Sequence, residues 1–362
     1  MTYAALPAPG PILWLEQALA DDPGAPCPPL AGPTRADVAI VGGGFVGLWT
    51  AYELTERAPD LDVVLLEGEF CGAGASGRNG GWVTGWHDEL DALIERFGVK
   101  DALRLAGDTT AAIERIGEVA ARHGIDCDYR QAGCLVAATA PAQLGAVDGA
   151  LAACRTHGRE ALLHEVSGEE LRRRTGSPLP IGGVIQTDAA AIQPARLARG
   201  LRRVLLERGV RIHEGSAMRR LGRGRPAFVE TREGLVEADR VVLALGAWSA
   251  RIRELRRAVV PVGSHLVATE PIPERVRALG WTGGEAFGDL RLLVHYAQVS
   301  ADGRIVFGRG GGAIGPAGRV TAGHHRDART SAVVAADFRR FFPTLADVRL
   351  THSWGGPVDR AP

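Results

Sequence analysis

The sequence predicts an α/β fold in which a Rossmann-like domain is interleaved with a second, α+β domain built on an antiparallel sheet. The first observation is the apolar run DVAIV at 37–41, which passes directly into a glycine turn and a helix-like segment. The second is another strand-like run, LDVVLLE, which ends in an acid. The third is a later series of alternating segments, of which 291–312 is the clearest because Asp302-Gly303 is typical of a hairpin turn.

Composition narrows the class of protein. The chain has 362 residues, enough for about two domains, and its 42 basic side chains equal its 42 acidic ones, so no net charge favours nucleic acid. Its five cysteines have neither CxxC nor metal-ligand spacing, which indicates a reduced, cytoplasmic setting and no metal site. No run of about eighteen apolar residues is present, so the sequence predicts no membrane span.

The glycine turn has the spacing of a dinucleotide-binding site. Gly42, Gly44 and Gly47 fit GxGxxG, with Gly43 between the first two. Such glycines permit a tight turn, a close approach of the pyrophosphate, and close packing of the following helix on the strand. Glu67 ends the second strand about twenty residues later, where a carboxylate can bind an adenosine ribose. These residues predict a bound dinucleotide, for which both FAD and NAD fit.

The segment after Glu67 is unlike that of an ordinary NAD enzyme. It reads GEFCGAGASGRNGGWVTGW, where another regular helix would be expected. Glycines at this density let the backbone approach a bound group closely. Ser76 can contact the pyrophosphate, and the backbone of Asn79, Gly80 and Gly81 can pass close to a flat ring system. The segment therefore indicates a flavin-binding loop.

These motifs together resemble the FAD-dependent oxidoreductases of the D-amino-acid oxidase superfamily, in particular the branch with glycine oxidase and gamma-glutamylputrescine oxidoreductase. The shared features are DVAIVGGGFVGLWTAYEL, the acid Glu67, and GASGRNGG at 74–81. The resemblance covers nearly the whole chain and implies FAD as the cofactor. It also implies a set of further cofactor-contacting residues, namely Phe45, Val46, Ser76, Arg78, Gly80, Gly81, Trp82, Met218 and Gly246.

Within that set, Arg78 would oppose the phosphate charge and the Met218 backbone would meet the adenine. Two assignments have plain structural alternatives. Arg78 could instead bond to carbonyls of its own loop, and Gly246 could be an ordinary turn glycine at a strand end.

The segment pattern and the resemblance divide the chain into six segments. We expect an N-terminal arm at 1–36, a first FAD-binding-domain segment at 37–90, a first substrate-domain segment with a helical connection at 91–190, a second FAD-binding-domain segment at 191–256, a second substrate-domain segment at 257–345, and the start of a third, truncated FAD-binding-domain segment at 346–362.

The strand at 291–299 is the candidate wall of the substrate site. Alternation places Tyr296 and Gln298 on one side of it and His295 on the other. All three are candidate substrate-contacting residues, although a core side chain with satisfied polar atoms fits the same pattern. In several relatives this strand carries a Tyr-Arg pair that holds a carboxylate, where this chain has Ala297 and Gln298. The resemblance therefore favours an amine or a longer amino-acid derivative as substrate.

Four histidines outside this strand are expected to be solvated. They are His123, His157, His324 and His325, which lie in helical or turn contexts.

The sequence thus predicts an FAD-dependent oxidoreductase that oxidises a C–N bond by hydride transfer to flavin and gives an imine, with oxygen or another acceptor reoxidising the flavin. An NAD-dependent oxidoreductase is one alternative. A non-catalytic or partner-completed FAD-binding fragment is the other, because relatives continue past their WGGP segment with a strand and a flavin-facing helix. We expect the chain as given, ending in WGGPVDRAP, to bind FAD weakly and to self-associate through an unpaired sheet edge.

Overall fold

The structure is a computed structural model that describes residues 11–360. Its α-helices are α1 (Leu13–Asp21), α2 (Phe45–Arg57), α3 (Leu90–Phe97), α4 (Val99–Arg122), α5 (Asp148–Thr156), α6 (Gly168–Thr175), α7 (Pro194–Glu207), α8 (Pro273–Leu279), α9 (Ala322–His325) and α10 (Ala328–Phe341). Its strands are β1 (Gly32–Val41), β2 (Val63–Leu66), β3 (Trp82–Val83), β4 (Cys134–Ala138), β5 (Leu163–Ser167), β6 (Gly182–Gln186), β7 (Ala190–Ala191), β8 (Arg211–His213), β9 (Arg220–Gly222), β10 (Ala227–Glu230), β11 (Gly234–Leu243), β12 (Val260–Thr269), β13 (Ala286–Asp289), β14 (His295–Val299), β15 (Ile305–Ile314) and β16 (Leu350–Arg360).

The first sheet has six strands in the order β8-β2-β1-β11-β10-β9. The first four strands of this order are parallel, whereas β10 and β9 extend the sheet antiparallel. β2 and the second half of β1 are buried, as expected of central parallel strands with both faces covered. Helices α2 and α7 cover one face, where Leu48 and Leu201 share a core with Ile40 and Leu65.

The second sheet has eight strands in the order β16-β12-β15-β14-β13-β4-β6-β5. All neighbouring pairs are antiparallel except β13 and β4. The predicted hairpin joins β14 to β15, and Gly303 in its turn has a φ of 77°. One face packs on α10, where Phe338 and Phe341 meet Phe287 and Phe307 in an aromatic core. The structure therefore has the predicted fold class, a Rossmann-like sheet beside an antiparallel one.

The chain alternates between the two sheets. It enters the six-stranded sheet with β1 and β2, crosses to β4–β6, returns with β8–β11, and ends in β12–β16 of the eight-stranded sheet. This order is the interleaving that the sequence predicts, although the exact domain boundaries stay predictions.

Two segments differ from expectation. The predicted arm at 1–36 contains helix α1, and β1 begins at Gly32 because its first five residues continue the parallel pairing with β11. The assignment of 346–362 to the FAD-binding domain is wrong for β16, which pairs along its length with β12 in the eight-stranded sheet. A strand at a domain crossover carries no local mark of which sheet it joins, so the pairing had to come from tertiary structure.

Candidate active site

The glycine turn after β1 has no room for side chains. A Cβ on Gly42, whose φ is 114°, would lie 2.3 Å from the backbone oxygen of Ala244. A Cβ on Gly47 would lie 1.9 Å from the oxygen of Gly42, so α2 can pack this close to β1 only with glycine there. The turn thus brings the start of α2 against the carboxyl ends of β1 and β11, the usual place for a ligand in a parallel sheet.

The start of α2 presents backbone N–H groups to the segment 74–78. The N–H of Phe45 donates to Ser76 Oγ at 2.8 Å. A Cβ on Gly44 would lie 2.9 Å from the same oxygen, so the serine sits directly over the turn. A helix start with free N–H groups and a positive dipole end suits a phosphate.

Glu67 lies at the end of β2, next to the turn. Its Oε2 accepts the N–H of Gly43 at 2.7 Å, and its Oε1 accepts the N–H of Glu69 at 2.9 Å. Burial raises the pKa of this carboxyl, and the two backbone N–H groups oppose that rise because they stabilise the ionised form. The carboxylate is therefore held rigidly where a ribose could meet it.

One cavity of about 1010 Å³ runs along these groups. Many predicted cofactor-contacting residues line it, namely Gly42, Gly44, Phe45, Val46, Glu67, Ser76, Arg78, Met218 and Gly246. The sequence missed other lining residues, including Glu69, Trp248, Arg251, His325 and Asp359. Of these, Trp248 follows the glycine at the end of β11, and this closeness to Gly246 is the signal that could have indicated it.

Other predicted residues stand behind the cavity wall. Gly43 belongs to the turn and Gly47 to the first turn of α2, and Asn79, Gly80, Gly81 and Trp82 form the segment that leads from the cavity to the eight-stranded sheet. Asn79 folds this segment, because its Nδ2 donates to the oxygens of Ala75 and Ser76 and its Oδ1 accepts the N–H of Gly81 at 2.8 Å. Helix α1 supports it from outside through Trp14, whose Nε1 donates to the oxygen of Asn79 at 2.9 Å.

Arg78 makes the contact of a loop arginine and also lines the cavity. Its Nε donates to the oxygen of Ala73 at 2.7 Å, as a loop arginine would, yet the side chain also lines the cavity. Burial lowers the pKa of Arg78, and no ion pair to it occurs within residues 11–360. Its charge therefore faces the cavity, where the nearby Glu69 carboxylate favours the charged form without forming an ion pair.

The expected solvation is wrong for His324, and His325 is only partly exposed. His324 is fully buried and its Nδ1 contacts Thr321 Oγ1 at 3.0 Å. His325 lines the cavity and packs at 6.3 Å, centroid to centroid, from Trp248. Burial lowers the pKa of His325 to about 4, and the nearby Arg78 acts in the same direction, so the imidazole is neutral at pH 7. The sequence around the two histidines does not predict their burial, because β12 and β16 cover α9 only in the folded chain.

The predicted alternation along β14 is observed. The ring of Tyr296 lies between two glycines, since a Cβ on Gly80 would be 2.5 Å and one on Gly308 2.2 Å from its carbons. Its hydroxyl shares a hydrogen bond of 2.6 Å with Ser264 Oγ, and its ring meets Trp82 edge to face at 5.9 Å. Burial raises the pKa of Tyr296 to about 12. Tyr296 therefore faces the flavin-binding loop as a neutral phenol.

His295 points to the other side of the strand, and the structure corrects its assignment as a substrate-contacting residue. Its Nδ1 lies 2.7 Å from Asp289 Oδ2 and its Nε2 3.0 Å from Asp337 Oδ2, with the ring stacked on Phe307. Burial alone would lower the pKa of His295, but the hydrogen bonds to both aspartates outweigh it and raise the pKa. Both ring nitrogens are thus used inside the core that α10 covers.

Gln298 shares the Tyr296 side of β14 but also differs from expectation. Its amide bonds to backbone oxygens at Gly80 and Ile192 and to Arg130, which leaves it committed to protein groups. It therefore contacts the flavin-binding loop and not an open substrate site.

The two sheets, the cavity at their junction and the glycine turn define a dinucleotide-dependent oxidoreductase fold. Residues 37–362 match the family described as "FAD dependent oxidoreductase" (DAO), so this chain belongs to the DAO family and its cofactor is FAD. Family membership decides between the two cofactors that the glycine turn alone allows. It also makes the chain a member of an enzyme family.

Relatives cover most of the chain. It is 32% identical over 366 residues to the probable oxidoreductase OrdL of Rhizobium meliloti (strain 1021), which covers 99% of this chain and 80% of that protein. It is 29% identical over 335 residues to gamma-glutamylputrescine oxidoreductase of Escherichia coli (strain K12), which covers 92% of this chain and 75% of that one. The fold is similar to that of glycine oxidase from Geobacillus kaustophilus, with a TM-score of 0.71 at 20% identity over 91% of this chain and 84% of that chain.

The sequence predicts no membrane span. Within residues 11–360, no helix is long and apolar enough to cross a membrane.

Proposed function

We propose that this chain oxidises the C–N bond of an amine or an amino-acid derivative to an imine. The observation that carries the proposal is the cavity, which joins a phosphate-type helix start and a partly buried acid to Ala73–Ser76 and Arg78 of the flavin-binding segment. Bound FAD would supply the two-electron acceptor for the hydride that leaves the carbon next to nitrogen.

The residues fit this cofactor. Gly42 and Gly44 line the cavity at the start of α2, where we place the pyrophosphate and where Ser76 Oγ already accepts an N–H. Glu67 offers a fixed carboxylate for the ribose, and Met218 lines the same end of the cavity. Arg78 supplies positive charge without a competing ion pair in the described part of the chain. We therefore assign the adenosine and pyrophosphate to this end and the flavin ring to the loop at 79–82.

Tyr296 is our candidate for contact with substrate. As a neutral phenol held by Ser264, it can orient a substrate amine by hydrogen bonding but cannot act as a base near neutral pH. Its contact with Gly80 makes the junction of loop and strand the proposed reaction site. The side chains there would act by positioning and by excluding water, as amine oxidation by a flavin needs no protein nucleophile.

The substrate class is inferred from what β14 lacks. Ala297 packs in the core, and the Gln298 amide is used by protein groups, so neither supplies a cation for an α-carboxylate. We infer an amine without an α-carboxylate, or a longer derivative of the kind named for the Escherichia coli relative, gamma-glutamylputrescine.

An anaerobic panel tests the proposal. Purified protein is reconstituted with FAD and mixed with gamma-glutamylputrescine, putrescine, glycine or sarcosine, and bleaching of the flavin absorbance is followed. We expect one of the first two amines to bleach the flavin faster than either amino acid. Bleaching by glycine or sarcosine alone would contradict the substrate class, and no FAD binding at all would contradict the function.

Three further properties are proposed with it. Oxygen is the proposed acceptor, tested by admitting air after bleaching. A cytoplasmic location is inferred from the five cysteines, all free and buried, as a reducing compartment allows.

Self-association is inferred from β16, which is the last strand of its sheet within residues 11–360, and is tested by the sedimentation of the protein at several concentrations.

A further inference from the structure

Gln298 connects three segments that lie far apart in the sequence. It is 1% exposed and belongs to β14. Its Nε2 donates to the oxygen of Gly80 at 2.7 Å and to the oxygen of Ile192 at 2.9 Å. One amide group thus binds the flavin-binding loop and the start of α7 to the eight-stranded sheet.

Arg130 fixes which way this amide points. Its terminal nitrogen donates to Gln298 Oε1 at 3.2 Å and to the oxygen of Val299 at 2.6 Å, and the guanidinium pairs with Asp128 at 3.3 Å. A guanidinium has only donors, so the amide oxygen must face it and the NH₂ group must face the two backbone oxygens. Both ends of the amide are therefore occupied, and the flipped orientation would place an oxygen against two oxygens.

The loop contacts this amide directly. Gly81 has a φ of 74°, and a Cβ there would lie 2.1 Å from Gln298 Nε2 and 2.2 Å from the oxygen of Ile192. The backbone at Gly81 is thus held in a conformation that favours glycine, at a distance from Gln298 that only glycine permits.

We propose that Gln298, oriented by Arg130, is a positioning residue that holds the Gly80–Gly81 backbone in the conformation that receives the flavin ring. It acts on the cofactor through the loop and does not contact substrate. This inference rests on the assignment of the loop at 79–82 to the flavin in the proposed function.

Two substitutions at this position separate its contacts. Gln298→Met keeps the length of the side chain and removes every hydrogen bond, whereas Gln298→Glu keeps the acceptor for Arg130 and turns an oxygen toward the oxygens of Gly80 and Ile192. Gln186→Met is the matched control, because Gln186 is a 2% exposed glutamine of the same sheet whose side chain acts on Asp188 and not on the flavin-binding loop. Arg130→Lys approaches the amide from its other end and provides the test if Gln298→Met does not fold.

The readouts are FAD affinity of the apoprotein, measured by quenching of flavin fluorescence, and the visible circular dichroism of bound flavin, both below the unfolding temperature of each variant. We expect Gln298→Met to weaken FAD about tenfold and Gln298→Glu at least as much, both with altered flavin dichroism. We expect Arg130→Lys to alter the dichroism with a smaller loss of affinity, and Gln186→Met to change neither readout.

A role limited to packing would lower the unfolding temperature of Gln298→Met and leave both flavin readouts unchanged, and that result overturns the inference while the proposed function stands. Wild-type protein that binds no FAD would overturn the proposed function and the inference with it.

Discussion

The two ends of the flavin-binding segment are held in different ways. At the phosphate end, Gly43 bonds to Glu67 and Phe45 bonds to Ser76, pairs separated by 24 and 31 residues within one strand-helix-strand unit and its loop. At the ring end, the backbone of Asn79 and Gly80 bonds to Trp14 and Gln298, which are 65 and 218 residues away. The phosphate end is a local structure, whereas the ring end exists only when both sheets are in place.

This difference predicts that substitutions at the phosphate end lower FAD affinity, whereas substitutions at the ring end also change the environment of the flavin ring. The local turn depends on glycine at fixed positions, so substitutions there should act strongly and without regard to the second sheet. The distant contacts are single hydrogen bonds, each of which contributes about 1 kcal/mol net, so substitutions there should tune the site.

The largest effect is expected at the turn. Gly44→Val would place a branched side chain where the pyrophosphate approaches, starting with a Cβ 2.9 Å from Ser76 Oγ. We expect FAD affinity to fall roughly a hundredfold or more, about 3 kcal/mol, with helical circular dichroism retained. Gly107→Val is the control, because a Cβ on Gly107 meets nothing within 4 Å. Stoichiometric flavin in purified Gly44→Val would show that the turn is not the phosphate site.

The next effect is expected at the acid that ends β2. Glu67→Ala removes the carboxylate proposed for the ribose, together with its bonds to the N–H groups of Gly43 and Glu69. We expect the dissociation constant for FAD to rise about tenfold, because hydrogen bonds to a charged group contribute roughly 1.5 to 3 kcal/mol each before water replaces them. Titration of the apoprotein with FAD measures it, and an unchanged constant would remove Glu67 from the ribose site.

The same division explains what could be predicted from the sequence. The fold class, Gly42, Gly44 and Glu67 follow from residue types at fixed spacing along β1, the glycine turn and β2. Alternation along β14 also gave the correct sides for Tyr296 and His295.

The sequence pattern could not show which polar side-chain atoms form hydrogen bonds with distant parts of the protein. His295 meets two aspartates, of which Asp337 lies 42 residues away on α10, and Gln298 meets Arg130 from 168 residues away. His325 reads as a turn histidine, and only the packing of α9 under β12 and β16 places it at the cavity. Such contacts depend on tertiary structure and leave no local mark.

A smaller effect is expected at the ring end. Tyr296→Phe keeps the ring between Gly80 and Gly308 and loses only the bond to Ser264. We expect flavin content to stay the same and the rate of anaerobic flavin bleaching by amine to fall about two- to tenfold, as one lost hydrogen bond allows. Ser264→Ala is the complementary variant, because it keeps the Tyr296 hydroxyl and removes its hydrogen-bond partner. Loss of flavin in Tyr296→Phe, or bleaching at the wild-type rate, would contradict the placement of the reaction site beside this strand.

The smallest effect is expected at His295, on the side of β14 away from the loop. Its pKa is raised above the ordinary 6.5 by Asp289 and Asp337, so the protonated form stabilises the folded state. That stabilisation is complete below about pH 6.5 and is lost as the pH rises through the raised pKa, which makes the folded protein less stable toward alkaline pH. We expect the unfolding temperature of His295→Gln to lack this decline. Between pH 6 and pH 9 the unfolding temperature of the wild-type protein should fall roughly 1 to 2 °C more than that of the variant, with no change in FAD affinity. His164→Gln, at an exposed position of β5, is the control. Equal pH slopes for wild-type and His295→Gln would show that the imidazole is not charged between its two carboxylates, and a loss of FAD affinity would show that this side of the strand is coupled to the cavity after all.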